Sequence, residues 1–307
     1  MTRETFVEKR FGRAALQVIR QANAIIAEYE ELGFTLTLRQ LYYQFVARAL
    51  IPNKPAEYKR LGAIVSDARL AGMIDWEAIE DRTRALNEHS SWGSPQDILR
   101  SAAQSFRLDP WLDQDRYVEV WIEKDALTGV IEPVCNRWRI PYFASKGYSS
   151  QSASWRAGKR FEDKISEGKE PIVLHLGDHD PSGLDMTRDN EERLQLLTGE
   201  HVEVRRLALN MDQVREYNPP PNPAKESDSR IEGYFSQYRT RSSWELDALE
   251  PTVIDGLIEK AVRGLVDLSQ WDESLERERK EGRGLFEIVN RYEDVKAFLA
   301  KPKKGRK

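Results

Sequence analysis

The chain has 307 residues, 40% hydrophobic and 9% aromatic, which is enough apolar mass for two domains with real cores. Charged residues make up 32%, and no apolar run approaches the roughly 20 residues of a membrane span, so a helical integral membrane protein is excluded. One cysteine, Cys135, excludes an intrachain disulfide and a cysteine-rich zinc site; four scattered histidines argue against a histidine metal cluster, and a net charge of -4 against bulk affinity for nucleic acid.

The N-terminal MTRETFVEKRFGR lacks the apolar core of a signal peptide, which predicts a cytoplasmic protein. From Thr5 to Leu32, apolar residues from Ala15 to Tyr29 recur at steps of three and four, the period of an amphipathic helix, and Gly33 stops it. Thr37 and Gln40 read as a capping box opening a second helix that ends before Pro52. A third periodic segment carries Tyr58, Leu61, Ile64, Val65 and Ala68 on one face, with Gly72 after it. Three helices so spaced suit a helix-turn-helix or winged-helix module, and equally an ordinary helical bundle.

The loop-like NEHSSWGSP, starting at Asn87, marks a boundary, and a connecting helix follows around Pro95–Phe106. The pattern then changes. RYVEVWIEK alternates Val118, Val120 and Ile122 against Glu119, Trp121 and Glu123 as a strand does, and Asp125–Trp138 returns to helical period. IPYFASKGY is a short strand and turn, Ser149 caps a helix reaching about Lys169, PIVLHLG is a strand, Pro181 to about Leu197 a helix, and VEVRRLAL a strand. Strands and helices alternating at these lengths predict βαβ units around a parallel sheet. EYNPPPNPAKESDSR reads as a linker or extended arm; helical patterns resume at Trp244 and again near Leu285–Leu299, and the basic tail KPKKGRK reads as a phosphate-binding arm or a solubilising end.

In such a sheet, ligands bind beyond the carboxyl ends of the strands. Glu123 ends one strand, and Asp178 and Asp180 follow another in GDHDPSG, so three carboxylates can converge on one edge. Oxygen-only donors of this kind suit Mg²⁺. Asp180 before Pro181 is also an ordinary helix start, an N-cap followed by proline, and needs no metal; that reading leaves Asp178 and Glu123 unexplained. His179 points away from both aspartates in an extended backbone. In LRQLYYQF, Leu38, Leu41, Tyr42 and Phe45 form one stripe, while Tyr43, turned about 100° from it, shares a face with Arg39. A phenol beside a guanidinium suits a nucleophile on a phosphate, and equally a half-buried surface tyrosine.

Together and in this order, TLRQLYYQF, VEVWIEKDAL, SKGYSS, GDHDPSG and SSWELDAL resemble the A subunit of topoisomerase VI and the related meiotic double-strand-break transesterases, over about Thr35–Leu249. Ser149 stands where that family's K-G-Y-P turn has proline. The chain is shorter than typical A subunits, and in this it resembles the stand-alone Mini-A-like proteins. The resemblance implies an α/β chain: a winged-helix (CAP-like) domain at 1–90, a connector at 91–112, a Toprim core at 113–210, and a Pro-rich arm with a helical extension at 211–307. It implies Tyr43 as nucleophile, assisted by Arg39 and Glu123, with Mg²⁺ (or Mn²⁺) on Glu123, Asp178 and Asp180. Lys59, Arg60, Arg69 and Lys146 would contact double-stranded DNA. A homodimer is implied, in which one subunit's tyrosine serves another's metal site, as are nucleoid association and a separate ATPase subunit, since no G-x-x-x-x-G-K loop is present. Two rival readings keep part of these features: a Toprim-type endonuclease in which water attacks, and a non-catalytic DNA-binding accessory protein.

Overall fold

The computed structural model describes residues 3–79 and 90–300. The tail KPKKGRK and the first residues of the boundary loop lie outside them. The chain divides into two compact units: Met1–Arg84 with Arg116–Gly264, and Ala85–Asp115 with Leu265–Lys307. The helices and the sheet expected as separate domains share the first unit, while the connector groups with the C-terminal helices.

In the first unit, α1 (Arg13–Glu31) buries Val18, Ile19, Ala22, Ile25, Ile26 and Tyr29 along one stripe. It starts later than expected because the chain before it is used elsewhere: Thr5 bridges Ala71, and the amides of Phe6 and Val7 donate to the Leu70 carbonyl. The expected capping box opens α2 (Leu38–Ala47), with Gln40 N–H donating to Thr37 Oγ1 at 3.3 Å and Thr37 N–H to Gln40 Oε1 at 2.8 Å. α3 (Pro55–Leu70) begins on a proline and buries Leu61, Val65 and Ala68. Leu36, Leu41 and Phe45 join these residues in one core. The only strand-like pairing described here is two isolated bridges, Thr5 with Ala71 and Leu36 with Ile79, so no hairpin wing is seen among the described residues.

Alternating elements follow α4 (Pro95–Ser105, in the second unit): β1 (Arg116–Ile122), α5 (Thr128–Arg137), β2 (Tyr142–Ala144), α6 (Gln151–Ser166), β3 (Glu170–Leu176), α7 (Pro181–Thr198) and β4 (Glu203–Ala208). The strands form a four-stranded sheet in the order β2-β1-β3-β4, every pair parallel. Ser150, not Ser149, caps α6, accepting from Ala153 N–H at 3.2 Å, while Ser149 is buried one residue earlier. The chain continues through α8 (Met211–Tyr217), β5 (Asn222–Pro223), α9 (Ile231–Tyr238), β6 (Ser242–Ser243) and α10 (Pro251–Arg263). The proline-rich arm is therefore partly built into the unit, since β5 pairs antiparallel with β6. Trp244–Leu249 is not the expected helix: Trp244 bridges His179, a 3-10 turn spans Leu246–Ala248, and α10 begins only at Pro251.

Helices α6 and α7 cover one face of the sheet, and α5 and α10 the other. Trp121, Val173 and Val204 pack with Ala157, Phe161 and Leu194 on the first face. Because both faces are covered, the alternation in β1 does not separate inside from outside. Glu119 is buried and needs partners: it accepts from Trp121 Nε1 at 2.7 Å and Tyr117 Oη at 2.8 Å, and pairs with Arg160 at 3.0 and 3.1 Å. In the second unit α4 packs on α11 (Leu268–Asn290), Trp111 meets Trp271 edge to face at 5.9 Å, and α12 (Tyr292–Leu299) follows.

Two buried histidines make the first unit acid-sensitive. Burial, reinforced by Arg206, holds His175 down at about 3 and His179 at about 4. Both are lowered, so the stability they contribute is complete above the unfolded value near 6.5 and is lost as pH falls toward the folded values. Each costs about 2 kcal/mol by pH 5. Urea midpoints should fall between pH 7.5 and 5.0, and His175→Gln should flatten that dependence.

Candidate functional site

The register of the sheet sets the site. Ile122 lies opposite both Ala144 and Leu176, so β1, β2 and β3 end level and Glu123 and Gly177 leave the sheet side by side. Glu123 Oε2 accepts the Asp178 N–H at 2.9 Å. A side chain at Gly177 would press on that carboxylate, since an added Cβ would stand 3.1 Å from Glu123 Oε2. Asp180 caps α7, accepting from Gly183 N–H at 2.6 Å and Ser182 Oγ at 3.0 Å, all through Oδ1. Arg206, buried on β4, holds this turn from beneath, donating to the carbonyls of Gly177, Asp178, Gly183 and Leu209. His179 is turned away, as expected, toward Tyr234, Tyr238 and Trp244.

Asp178 takes a different role from the one expected. Its Oδ1 accepts from Leu246 N–H at 2.7 Å and its Oδ2 meets Lys124 Nζ at 2.9 Å. Lys124 also donates to Glu245 Oε2 at 2.7 Å and Asp247 Oδ1 at 3.0 Å, and Arg39 pairs with the same two carboxylates. Burial works against the charge on Lys124, but Asp247, Asp178 and Glu245 outweigh it and hold the ammonium charged. Burial likewise opposes Arg39, and Asp247 and Glu245 again prevail. For Glu245 burial is outweighed by Lys124 and Arg39, which hold it down at about 2. Burial pushes Asp178 up against the pull of Lys124, and pushes Glu123 up with help from Asp180.

Tyr43 stands beside this cluster. It is buried, not half-exposed; its ring meets Tyr42 edge-on at 5.4 Å, and the Arg39 guanidinium lies 5.6 Å from its centroid. Burial first, then Asp247 and Glu245, raise its phenol well above the ordinary range, opposed by Arg39 and a hydrogen bond with Asn222. Asn222 belongs to a side-chain chain: it donates to Glu245 Oε1 at 3.3 Å, accepts from Asn53 at 2.6 Å, and Asn53 in turn accepts from Tyr42 Oη at 2.9 Å. A cavity of ≈ 520 Å³ opens here, walled by Arg39, Tyr43, Asp178, Asp180, Trp244 and Glu245 among others. Tyr43, Asp178 and Asp180 of one chain line the same cavity.

Among the described residues, no group of three His, Cys, Asp or Glu side chains is arranged to hold a metal ion. Each Asp178 oxygen has one partner, Leu246 N–H on Oδ1 and Lys124 Nζ on Oδ2. Glu123 and Asp180 each engage only one oxygen, Oε2 and Oδ1, and two carboxylates with water and phosphate suffice for Mg²⁺. Glu123 and Asp180 are thus carboxylates that, among the described residues, each keep one oxygen without a hydrogen bond. Of the basic residues expected on DNA, Lys59 is exposed and Arg60 is paired with Glu57 at 2.6 Å. Lys146 meets Asp125 at 3.1 Å. Arg69 is half-buried, stacked 4.8 Å over Trp76 and bonded to the Trp76 carbonyl. Sequence reading missed Lys124, Glu245, Asp247, Asn222 and Arg206. The signals were the lysine after Glu123 and the two acids of SSWELDAL. No family model and no curated protein matches the chain. No helix of the described residues is long and apolar enough to cross a membrane.

Removing Lys124 strands buried carboxylates, so Lys124→Met should cost about 3–5 kcal/mol in urea unfolding. Glycines in the first unit should divide by their surroundings. A Cβ at Gly183 would meet the Asp178 carbonyl at 2.3 Å, and Gly183→Ala should cost about 1–3 kcal/mol. Gly256, exposed in α10 with nothing near, should gain up to about 1 kcal/mol as alanine.

Proposed function

We propose that the chain cleaves double-stranded DNA by tyrosine transesterification. What carries this reading is the cavity in which a tyrosine–arginine pair from α2 faces the acidic turn after β3. Tyr43 Oη bonds to a backbone phosphorus, the bond from phosphorus to a deoxyribose oxygen breaks, the phenolic proton passes to water and the leaving oxygen takes one from water. Arg39 and Lys124 lie where they can meet phosphate charge as it develops. A magnesium or manganese ion on Glu123 and Asp180 would, when bound, draw charge from the phosphate and the leaving oxygen. The reading takes the three N-terminal helices as a winged-helix module and the parallel sheet as a Toprim core, with Lys59 and Arg60 on DNA phosphates. Two copies in a homodimer, nucleoid-associated in the cytoplasm, would cut opposite strands, and an ATP-driven cycle would need a separate ATPase subunit.

One observation favours hydrolysis as a second reading: burial and the nearby acids keep the Tyr43 phenol protonated. In that case water attacks and Tyr43 only lines the cavity. Supercoiled plasmid incubated with the protein and Mg²⁺ or Mn²⁺, then denatured with and without protease digestion, separates the two. Transesterification should give DNA that enters the gel normally only after protease, and Tyr43→Phe should abolish it. Nicking that survives Tyr43→Phe but disappears in Asp180→Asn would move the chemistry to water. An absence of cleavage under every condition would leave a DNA-binding accessory protein.

A further inference from the structure

Four charged side chains form a closed arrangement, and two of them, Arg39 and Glu245, line the cavity. Arg39 and Lys124 each bond both Glu245 and Asp247, and the single oxygen Glu245 Oε2 is shared between the guanidinium and the ammonium. An anionic oxygen held between two cations at the wall of an open cavity has the coordination of a phosphate oxygen. The two carboxylates differ in how they are held. The Asp247 side chain is almost wholly enclosed, whereas that of Glu245 is 26% exposed and lines the cavity. Their backbone is fixed, because Leu246 N–H is bonded to Asp178 and Trp244 exchanges two backbone hydrogen bonds with His179. Glu245 can therefore leave by side-chain rotation alone, while Asp247 keeps both cations in place.

We infer that Arg39 and Lys124 form an anion site for a phosphate group, and that Glu245 occupies it as a built-in competitor that the incoming phosphate displaces. The proposed DNA-cleaving reading supplies only the identity of the anion as a phosphodiester; the site itself rests on the geometry. A bound phosphate would take the place of the Glu245 carboxylate beside Tyr43, so that ligand binding would set a phosphorus next to the phenol.

The test compares wild type with Glu245→Gln, Glu245→Asp, the double variant Arg39→Gln/Glu245→Gln, and Glu162→Gln as a surface control that removes a charge from α6. Two probes are used at constant ionic strength: inorganic phosphate against chloride, read as a thermal shift, and a short labelled DNA duplex, read by anisotropy. Removing the competitor should tighten phosphate binding about tenfold. Glu245→Asp should gain part of this, Arg39→Gln/Glu245→Gln should lose it, and Glu162→Gln should leave phosphate binding unchanged. A gain for phosphate and DNA together supports both the site and the DNA reading. A gain for phosphate alone upholds the site and counts against DNA as its ligand. If neither Glu245→Gln nor Glu245→Asp tightens phosphate binding, or if Glu162→Gln tightens it equally, the site is wrong. Should Glu245→Gln fail to fold, the Glu245→Asp comparison decides by the same criterion.

Discussion

Lys124 is the group on which the site depends. Its ammonium touches Asp178, Glu245 and Asp247 at once, and so ties the end of β3 to a segment that follows β6. An ammonium placed so deeply is costly unless fully paired, and carboxylates placed so deeply repel one another unless a cation stands between them. Each charge is thus tolerable only because the others are present. Arg39 extends the arrangement to α2, which places the candidate nucleophile one helical turn from the pair that positions it. Helix, sheet edge and crossing segment are joined by charge as well as by apolar packing, since Ala248 joins the core of the N-terminal helices.

The sheet explains why the charges gather there. Parallel strands that end level present successive residues at one edge, and the peptide units just past that edge have lost their strand partners. Glu123 satisfies one such amide, Asp180 another, and Arg206 collects four carbonyls from below. Burial pushes the Arg206 guanidinium down to about 10, against the pull of Glu123. The acidic turn is therefore a rigid structure before any ligand arrives. Rigidity of this sort favours catalysis, because oriented groups need not reorganise when charge develops.

Much of this was legible in the residues. The capping box at Thr37, the helical stripe of α1, the four strands and the proline start of α7 all follow from local rules, and each lies where those rules place it. The readings that needed correction share a cause, namely tertiary contacts that local periodicity does not encode. Trp244–Leu249 has helical spacing, yet pairing with His179 and the bond from Leu246 to Asp178 leave it a bridge and a single 3-10 turn. The Pro-rich arm has the composition of a linker, yet Asn222 is one link in a chain of side chains that reaches Tyr42. The place of Asp178 after a strand was readable, but its pairing with Lys124 and with the Leu246 amide was not. Adjacent in sequence to Glu123, that lysine was visible; its partners, far along the chain, were not.

Tyr43 poses the remaining physical problem. A phenol is a poor nucleophile until its proton is loosened, and here burial and two carboxylates hold the proton on. Arg39 opposes them, but its charge is spent on the same carboxylates, so little of its field is left to favour a phenolate. The arrangement is self-neutralised, and it deters the tyrosine from reacting with whatever anion drifts into the cavity. A phosphate that replaced Glu245 would keep negative charge beside the phenol while bringing its phosphorus alongside. Exchange of one anion for another at a fixed pair of cations would thus deliver the phosphorus to the tyrosine without movement of the sheet or of α2, and loosening the phenolic proton would fall to another group.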